Sequence, residues 1–130
     1  KLYEQIRKQL PEWNLSVFAQ MAGCAALDEK EYRNRTVAIV QKEREYLIQA
    51  LSELGITVYP GRADYLLLQT DLPLAARLLE RQILIRDCSN YRGLDEGFYR
   101  IAVKEHKENT ILIQELQDIE QKEGKNHGKH

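Results

Sequence analysis

Apolar positions recur every three or four residues over most of this chain, and that spacing predicts helices. Leu2, Ile6 and Leu10 outline one short amphipathic helix, which Pro11 ends. The linker PEWNLS follows, with Trp13 as a packing anchor. Ser16 is placed to cap a second helix, VFAQMAGCAAL, rich in small residues. Asp28 followed by Glu31 reads as the capped start of a third helix. In it Tyr32, Thr36, Ile39, Val40, Glu43, Leu47, Ala50, Leu51 and Leu54 keep a helical period up to Gly55, a good left-handed terminator. Its length of about 40 Å makes it a brace rather than a catalytic element.

The pattern then shortens. Ile56–Tyr59 and Asp64–Gln69 predict a hairpin-like pair of strands around Pro60-Gly61. Asp71 is placed to cap a helix with Pro73 in its first turn, continuing through LAARLLERQ. Two more apolar runs, Ile83–Ile85 and Phe98–Val103, predict strands. His106 to about Gln121 predicts a last helix with Ile111, Leu112, Leu116 and Ile119 inward. The polar, glycine-containing stretch 123–130 reads as a disordered tail. The order α-α-α-β-β-α-β-β-α predicts an α+β class: a short, mostly antiparallel sheet of three or four strands with helices packed on one face. No internal repeat or domain break is visible before the tail, so 1–122 reads as one domain.

Each of the last two apolar runs carries an arginine, Arg86 and Arg100. Arginine in an apolar strand is costly unless an anion receives it. Antiparallel pairing of Arg86 with Arg100 puts both guanidiniums on one face with Leu84, Phe98 and Ala102. Ile83, Ile85, Tyr99, Ile101 and Val103 then line the core face, and a slip of one residue separates the arginines. Two outcomes stay open. The pair forms a bidentate clamp for carboxylate or phosphate, or the side chains extend to solvent or pair with Asp87, Asp95 or Glu96.

Composition narrows the partners. The 130 residues carry 19 Lys and Arg against 20 Asp and Glu, a balance that argues against nucleic acid and against a polybasic membrane patch. No run approaches transmembrane length and no signal segment opens the chain, so a cytoplasmic setting is expected. Cys24 and Cys88 lack metal-site spacing and read as free thiols, Cys88 lying in the loop between the arginines. His127 and His130 have no acidic or thiol company for a metal. The phosphate-loop, dinucleotide, zinc-protease and nucleophile-elbow patterns are absent. Arginine cannot act as acid or base at neutral pH, so the residues describe an anion-gripping lobe without a catalytic residue of its own. A stand-alone, non-catalytic anion-binding module fits that description too.

LPEWNLSVFAQMAGCAAL, then ERxYLxxxLxxLGITVYPGRADYLLL, then ILIRDCSNYRGLDEGFYRIAVK resembles the C-terminal part of pyridoxal-phosphate enzymes of aminotransferase class I/II. The resemblance covers nearly all of 1–122. It implies the small, substrate-carboxylate-binding domain of fold type I, docked on a large cofactor-binding domain of its own parent chain, in a cytoplasmic homodimer. It implies that Arg86 and Arg100 hold the anionic part of the substrate, a phosphorylated amino acid. The wording of the loop is nearest a branch that decarboxylates such a substrate in cobalamin biosynthesis; the alternative is an aminotransferase of the same class. The Schiff-base lysine and the holders of pyridoxal phosphate belong before residue 1 in that family, and Lys1 does not stand in their context. The resemblance therefore implies a piece of a longer enzyme, inactive alone.

Overall fold

The computed structural model describes residues 2–10 and 15–127, with side chains through 122. The chain divides into two compact units, Lys1–Arg35 and Thr36–His130. Trp13 and Asn14 lie outside the described residues.

The first unit holds α1 (Leu2–Arg7), α2 (Val17–Asp28) and the opening turns of α3 (Lys30–Glu53). Ser16 caps α2 as its sequence predicts: its hydroxyl oxygen accepts the Ala19 N–H at 3.2 Å. Asp28 does not cap α3. A cap residue must leave helical geometry, and Asp28 is still the last residue of α2. Glu29 makes the break, at φ −75° and ψ 65°, and its carbonyl accepts the Arg33 N–H at 3.1 Å. Neither α1 nor α2 buries a residue, and Val17, Phe18, Met21 and Leu27 are exposed.

The second unit is built on four short strands: β1 (Thr57–Tyr59), β2 (Tyr65–Gln69), β3 (Arg86–Asp87) and β4 (Phe98–Ala102). They lie in the order β1-β2-β4-β3, and every neighbouring pair is antiparallel. Alternation sends Val58, Leu66, Leu68, Tyr99 and Ile101 to one face. The second half of α3, α4 (Leu74–Leu79) and α5 (His106–His127) cover that face with Leu47, Leu51, Leu74, Leu78, Leu112, Ile113, Leu116 and Ile119. The other face carries no helix of this unit. The expected α+β layer is therefore what forms.

Gly55 ends α3 as expected, at φ +69°. The Ile56 N–H reaches the Leu51 carbonyl and the Gly55 N–H the Ser52 carbonyl, both at 3.0 Å, a Schellman motif. Gln82, at φ +61°, repeats the motif after α4: Ile83 N–H reaches Leu78 at 2.9 Å and Gln82 N–H reaches Leu79 at 3.0 Å. Glutamine is no terminator by type, so nothing in the pattern announced that exit. Asp71 stands too early to cap α4. Pro73 takes the cap position without a side-chain bond, and the Thr70 hydroxyl holds the preceding turn by accepting the Leu72 N–H at 3.3 Å. In α5 the inward face is turned from the expected one: Ile113 is buried and Ile111 is 45% exposed. The helix also runs on to His127, into the stretch the sequence assigns to a tail, whose last residues lie outside the described ones.

One buried carboxylate ties α3 to the start of α5. Glu43 is 4% exposed. Its Oε2 accepts the Asn109 side-chain N–H at 3.0 Å and lies 3.1 Å from His106 Nδ1. Asn109 also donates to the Lys104 carbonyl at 2.8 Å and accepts the Lys104 N–H at 3.1 Å. The clasp thereby fixes the turn four residues beyond Arg100. Burial pushes the Glu43 pKa up, but the bonds from Asn109 and His106, with the nearby positive charges, bring it below its ordinary 4.5.

Two predictions concern stability of the protein that carries this chain. Gly97 sits at φ +90°, and a Cβ there would lie 2.7 Å from the Thr70 carbonyl oxygen. Gly97→Ala is expected to cost about 2 kcal/mol or more, read as a lower urea midpoint. Glu43 binds fewer protons folded than unfolded just below its ordinary range. Its contribution is present above about pH 4.5 and fades as pH falls through the lower folded value. Thermal melts of Glu43→Gln across pH 3–7 should show a flatter acid limb than the native protein.

Candidate functional site

The loop between β3 and β4 is a chain of turns. The Asp87 carboxylate accepts the Ser89 N–H at 2.8 Å, Tyr91 N–H reaches the Cys88 carbonyl at 2.9 Å, and Leu94 N–H reaches Tyr91 at 3.1 Å. Gly93 and Gly97 supply positive φ, 86° and 90°. Cys88 is fully buried, and its N–H extends the ladder to the Phe98 carbonyl at 2.9 Å. The thiol is therefore closed off from solvent, with its Sγ 3.7 Å from the Arg86 carbonyl.

The register pairs Arg86 with Arg100. On the far side of Arg100 stands Leu67. Leu84 is 84% exposed, Ala102 is exposed and Phe98 half-buried, while Ile83 and Ile85 pack against the core with Tyr99, Ile101 and Val103. This is the face assignment the alternation predicts. Two cations directly opposite one another destabilise a strand pair. No carboxylate of the described residues comes within ion-pair distance of either; the ion pairs of this unit include Arg81 with Glu115 and Asp118, Lys104 with Glu108, and His106 with Glu43. Pairing with Asp87, Asp95 or Glu96 is thus not what the arginines do.

Arg86 donates through Nη2 to Asn90 Oδ1 at 2.9 Å and lies over the Tyr91 ring, 5.3 Å from its centre. Arg100 lies 4.6 Å from the centre of the Tyr65 ring. A shallow groove of about 660 Å³ runs beside them, lined by Asp64, Tyr65, Leu84, Ile85, Arg86, Asp87, Arg100, Ile101 and Ala102. Its two carboxylates bear on the charge it offers. The Ser89 backbone N–H, helped by the Ser89 side chain and by Arg86, holds the Asp87 carboxyl below its ordinary 3.8, so it is ionised at neutral pH. Planar guanidiniums with outward donor edges can take a carboxylate or phosphate. The groove contains no lysine to meet the aldehyde of pyridoxal phosphate; beside the Asp64 and Asp87 carboxylates, its two arginines are the groups that suit an anionic substituent.

Among the described residues no cluster of His, Cys, Asp and Glu could hold a metal, and no helix is long and apolar enough to cross a membrane. Tyr65, Asn90 and Tyr91 were not singled out by sequence reasoning. Asn90 and Tyr91 lie in the quoted loop, but Tyr65 meets Arg100 only through the β2–β4 register, which no local pattern encodes.

Residues 1–116 match the family Aminotransferase class I and II, and the chain belongs to that family. Its fold is that of the small domain of fold type I. Among its relatives is the threonine-phosphate decarboxylase of Salmonella typhimurium, 39% identical over 119 residues, covering 88% of this chain and 33% of that protein. The histidinol-phosphate aminotransferase of Methanosphaera stadtmanae is 30% identical over 123 residues, covering 89% and 34%. The crystal structure of the histidinol-phosphate aminotransferase from Clostridium acetobutylicum superposes with a TM-score of 0.79 at 31% identity, over 92% of this chain and 37% of that one. The chain spans about a third of the length of the curated relatives it matches.

The buried position of Cys88 has a chemical consequence. Its thiol should stay unreactive toward Ellman's reagent in the folded protein and react once denaturant is added. Labelling of Cys88 at the rate of an exposed thiol, followed by mass spectrometry of the peptides, would contradict its placement.

Proposed function

We propose that this chain is the substrate-anion lobe of a pyridoxal-phosphate-dependent threonine-phosphate decarboxylase, converting O-phospho-L-threonine to (R)-1-amino-2-propanol phosphate and CO2 for cobalamin synthesis. The observation that carries the proposal is the pairing of Arg86 with Arg100 on the sheet face opposite this unit's helices, without a carboxylate partner among the described residues. The 39% identity to a threonine-phosphate decarboxylase supports the choice of reaction. When bound, the cofactor supplies an electron sink for the substrate bond that breaks. This chain's part is geometric: Arg86 and Arg100 grip an anionic group and so choose which bond at the substrate's Cα is presented for cleavage. The large domain of the parent chain holds the cofactor, the parent is a cytoplasmic homodimer, and the lobe alone does not turn over substrate.

A second reading is a histidinol-phosphate aminotransferase, favoured by the 0.79 superposition over 92% of the chain. That substrate bears a phosphate and no carboxylate, and a guanidinium pair suits either anion. The full-length protein, given O-phospho-L-threonine, should release CO2. Transamination of histidinol phosphate without CO2 release would replace the first reading with the second.

Arg100→Ala in the full-length protein should lower kcat/KM by a factor of about 10 to 150, the loss of a charge-assisted contact worth about 1.5–3 kcal/mol. The melting temperature should barely move, since the side chain is not part of the core. Native kcat/KM in that variant would refute the clamp.

A further inference from the structure

A guanidinium has two unlike sides. Its edge carries five N–H donors that meet carboxylate or phosphate oxygens, and its flat face carries none. An aromatic ring against the face therefore holds the cation without spending a donor. The guanidinium carbon of each arginine of the groove lies over such a ring, Arg100 4.6 Å from the centre of Tyr65 and Arg86 5.3 Å from that of Tyr91. Tyr65 reaches Arg100 because it pairs with Ala102, two positions along β4, and diagonal neighbours on one sheet face lie within reach of an aromatic side chain. Tyr91 reaches Arg86 because the loop is pinned three residues earlier by buried Cys88, whose carbonyl accepts the Tyr91 N–H. Asn90 takes one donor of Arg86, whereas Arg100 has no hydrogen-bond acceptor among the described residues.

Two opposed cations repel, and each long side chain loses rotamer freedom when it is fixed by a ligand. Rings already placed against the guanidiniums lower that cost before any anion arrives.

We infer that Tyr65 and Tyr91 are positioning residues: their rings set the planes of Arg100 and Arg86 so that the donor edges meet a carboxylate or phosphate, with Asn90 fixing the rotation of Arg86. The inference rests on the reading of the arginine pair as the substrate-anion site. It assigns the two arginines unequal roles. Arg86 is braced by ring and amide, and Arg100 keeps its donors for the ligand.

The test uses the full-length protein. Binding of O-phospho-L-threonine and of inorganic phosphate is measured by isothermal titration, alongside steady-state KM and kcat. Tyr65→Leu should weaken phosphothreonine binding about three- to thirtyfold, with the change falling mainly on KM. Tyr65→Phe, which keeps the ring face, should recover most of that binding. Tyr91→Leu, at an exposed loop position, gives the same comparison for Arg86 if Tyr65→Leu does not fold. Native binding in both leucine variants, or equal losses in the phenylalanine and leucine variants of Tyr65, would overturn the positioning role. If Arg100→Ala abolishes binding in the same experiment, the arginine site stands without its rings. If Arg100→Ala binds both ligands as the native protein does, the arginine reading itself falls.

Discussion

Two like charges face each other across β3 and β4 because the residues beside them have to point inward. Ile83, Ile85, Tyr99, Ile101 and Val103 are all drawn to the core. Strand alternation then leaves Arg86 and Arg100 no choice of side. The strand itself is only Arg86–Asp87, later than the expected Ile83–Ile85, but shifting the whole segment 83–87 by one residue would expose two isoleucines and press an arginine toward an apolar interior, a cost of several kcal/mol for an unpaired charge. The apolar side of the hairpin thus specifies the polar side. The repulsion between the guanidiniums is small against that cost, so the fold tolerates it.

The loop sequence RDCSNYRGL is understood through the same constraint. Most of its members act on the arginine face or on the turn that presents it. Cys88 anchors the loop in the core, and Asp87 closes the turn on Ser89. Asn90 and Tyr91 hold Arg86. Gly93 and Gly97 bring the chain back, Gly97 close against the Thr70 carbonyl of the neighbouring segment. At the other end of β4, the Glu43–Asn109–Lys104 clasp fixes the exit into α5. Arg100 therefore sits on a strand secured at both ends, while the groove beside it stays open.

All helices of the second unit lie on one face of its sheet, and in the first unit α1 and α2 bury nothing. A chain matching about a third of its relatives' length, with one sheet face free of the second unit's own helices and apolar residues exposed on α2, offers surfaces rather than a closed reaction chamber. Under the proposed reading, its part in the chemistry is recognition of an anion. The choice between removing CO2 and moving an amino group depends on how a bound substrate is turned, which a guanidinium pair influences by direction and not by reactivity.

Element types, the glycine stop at Gly55, the Ser16 cap and the two-faced alternation around Arg86 and Arg100 were legible in the chain, because each depends on residues within one turn or one strand. What failed to show locally was set by longer contacts or by small energy differences. Asp28 and Asp71 have cap chemistry, but helix ends fall where backbone geometry breaks, at Glu29 and Pro73. Ile111 and Ile113 are equally apolar, and packing against the sheet selected Ile113. Glu43 reads as one more residue on a helix, and only Asn109 and His106, more than sixty positions away, make its burial stable. Tyr65 meets Arg100 for the same reason. Local sequence decides dihedral angles and which side of a strand is greasy; which distant side chains then stand together is decided by the register of whole elements.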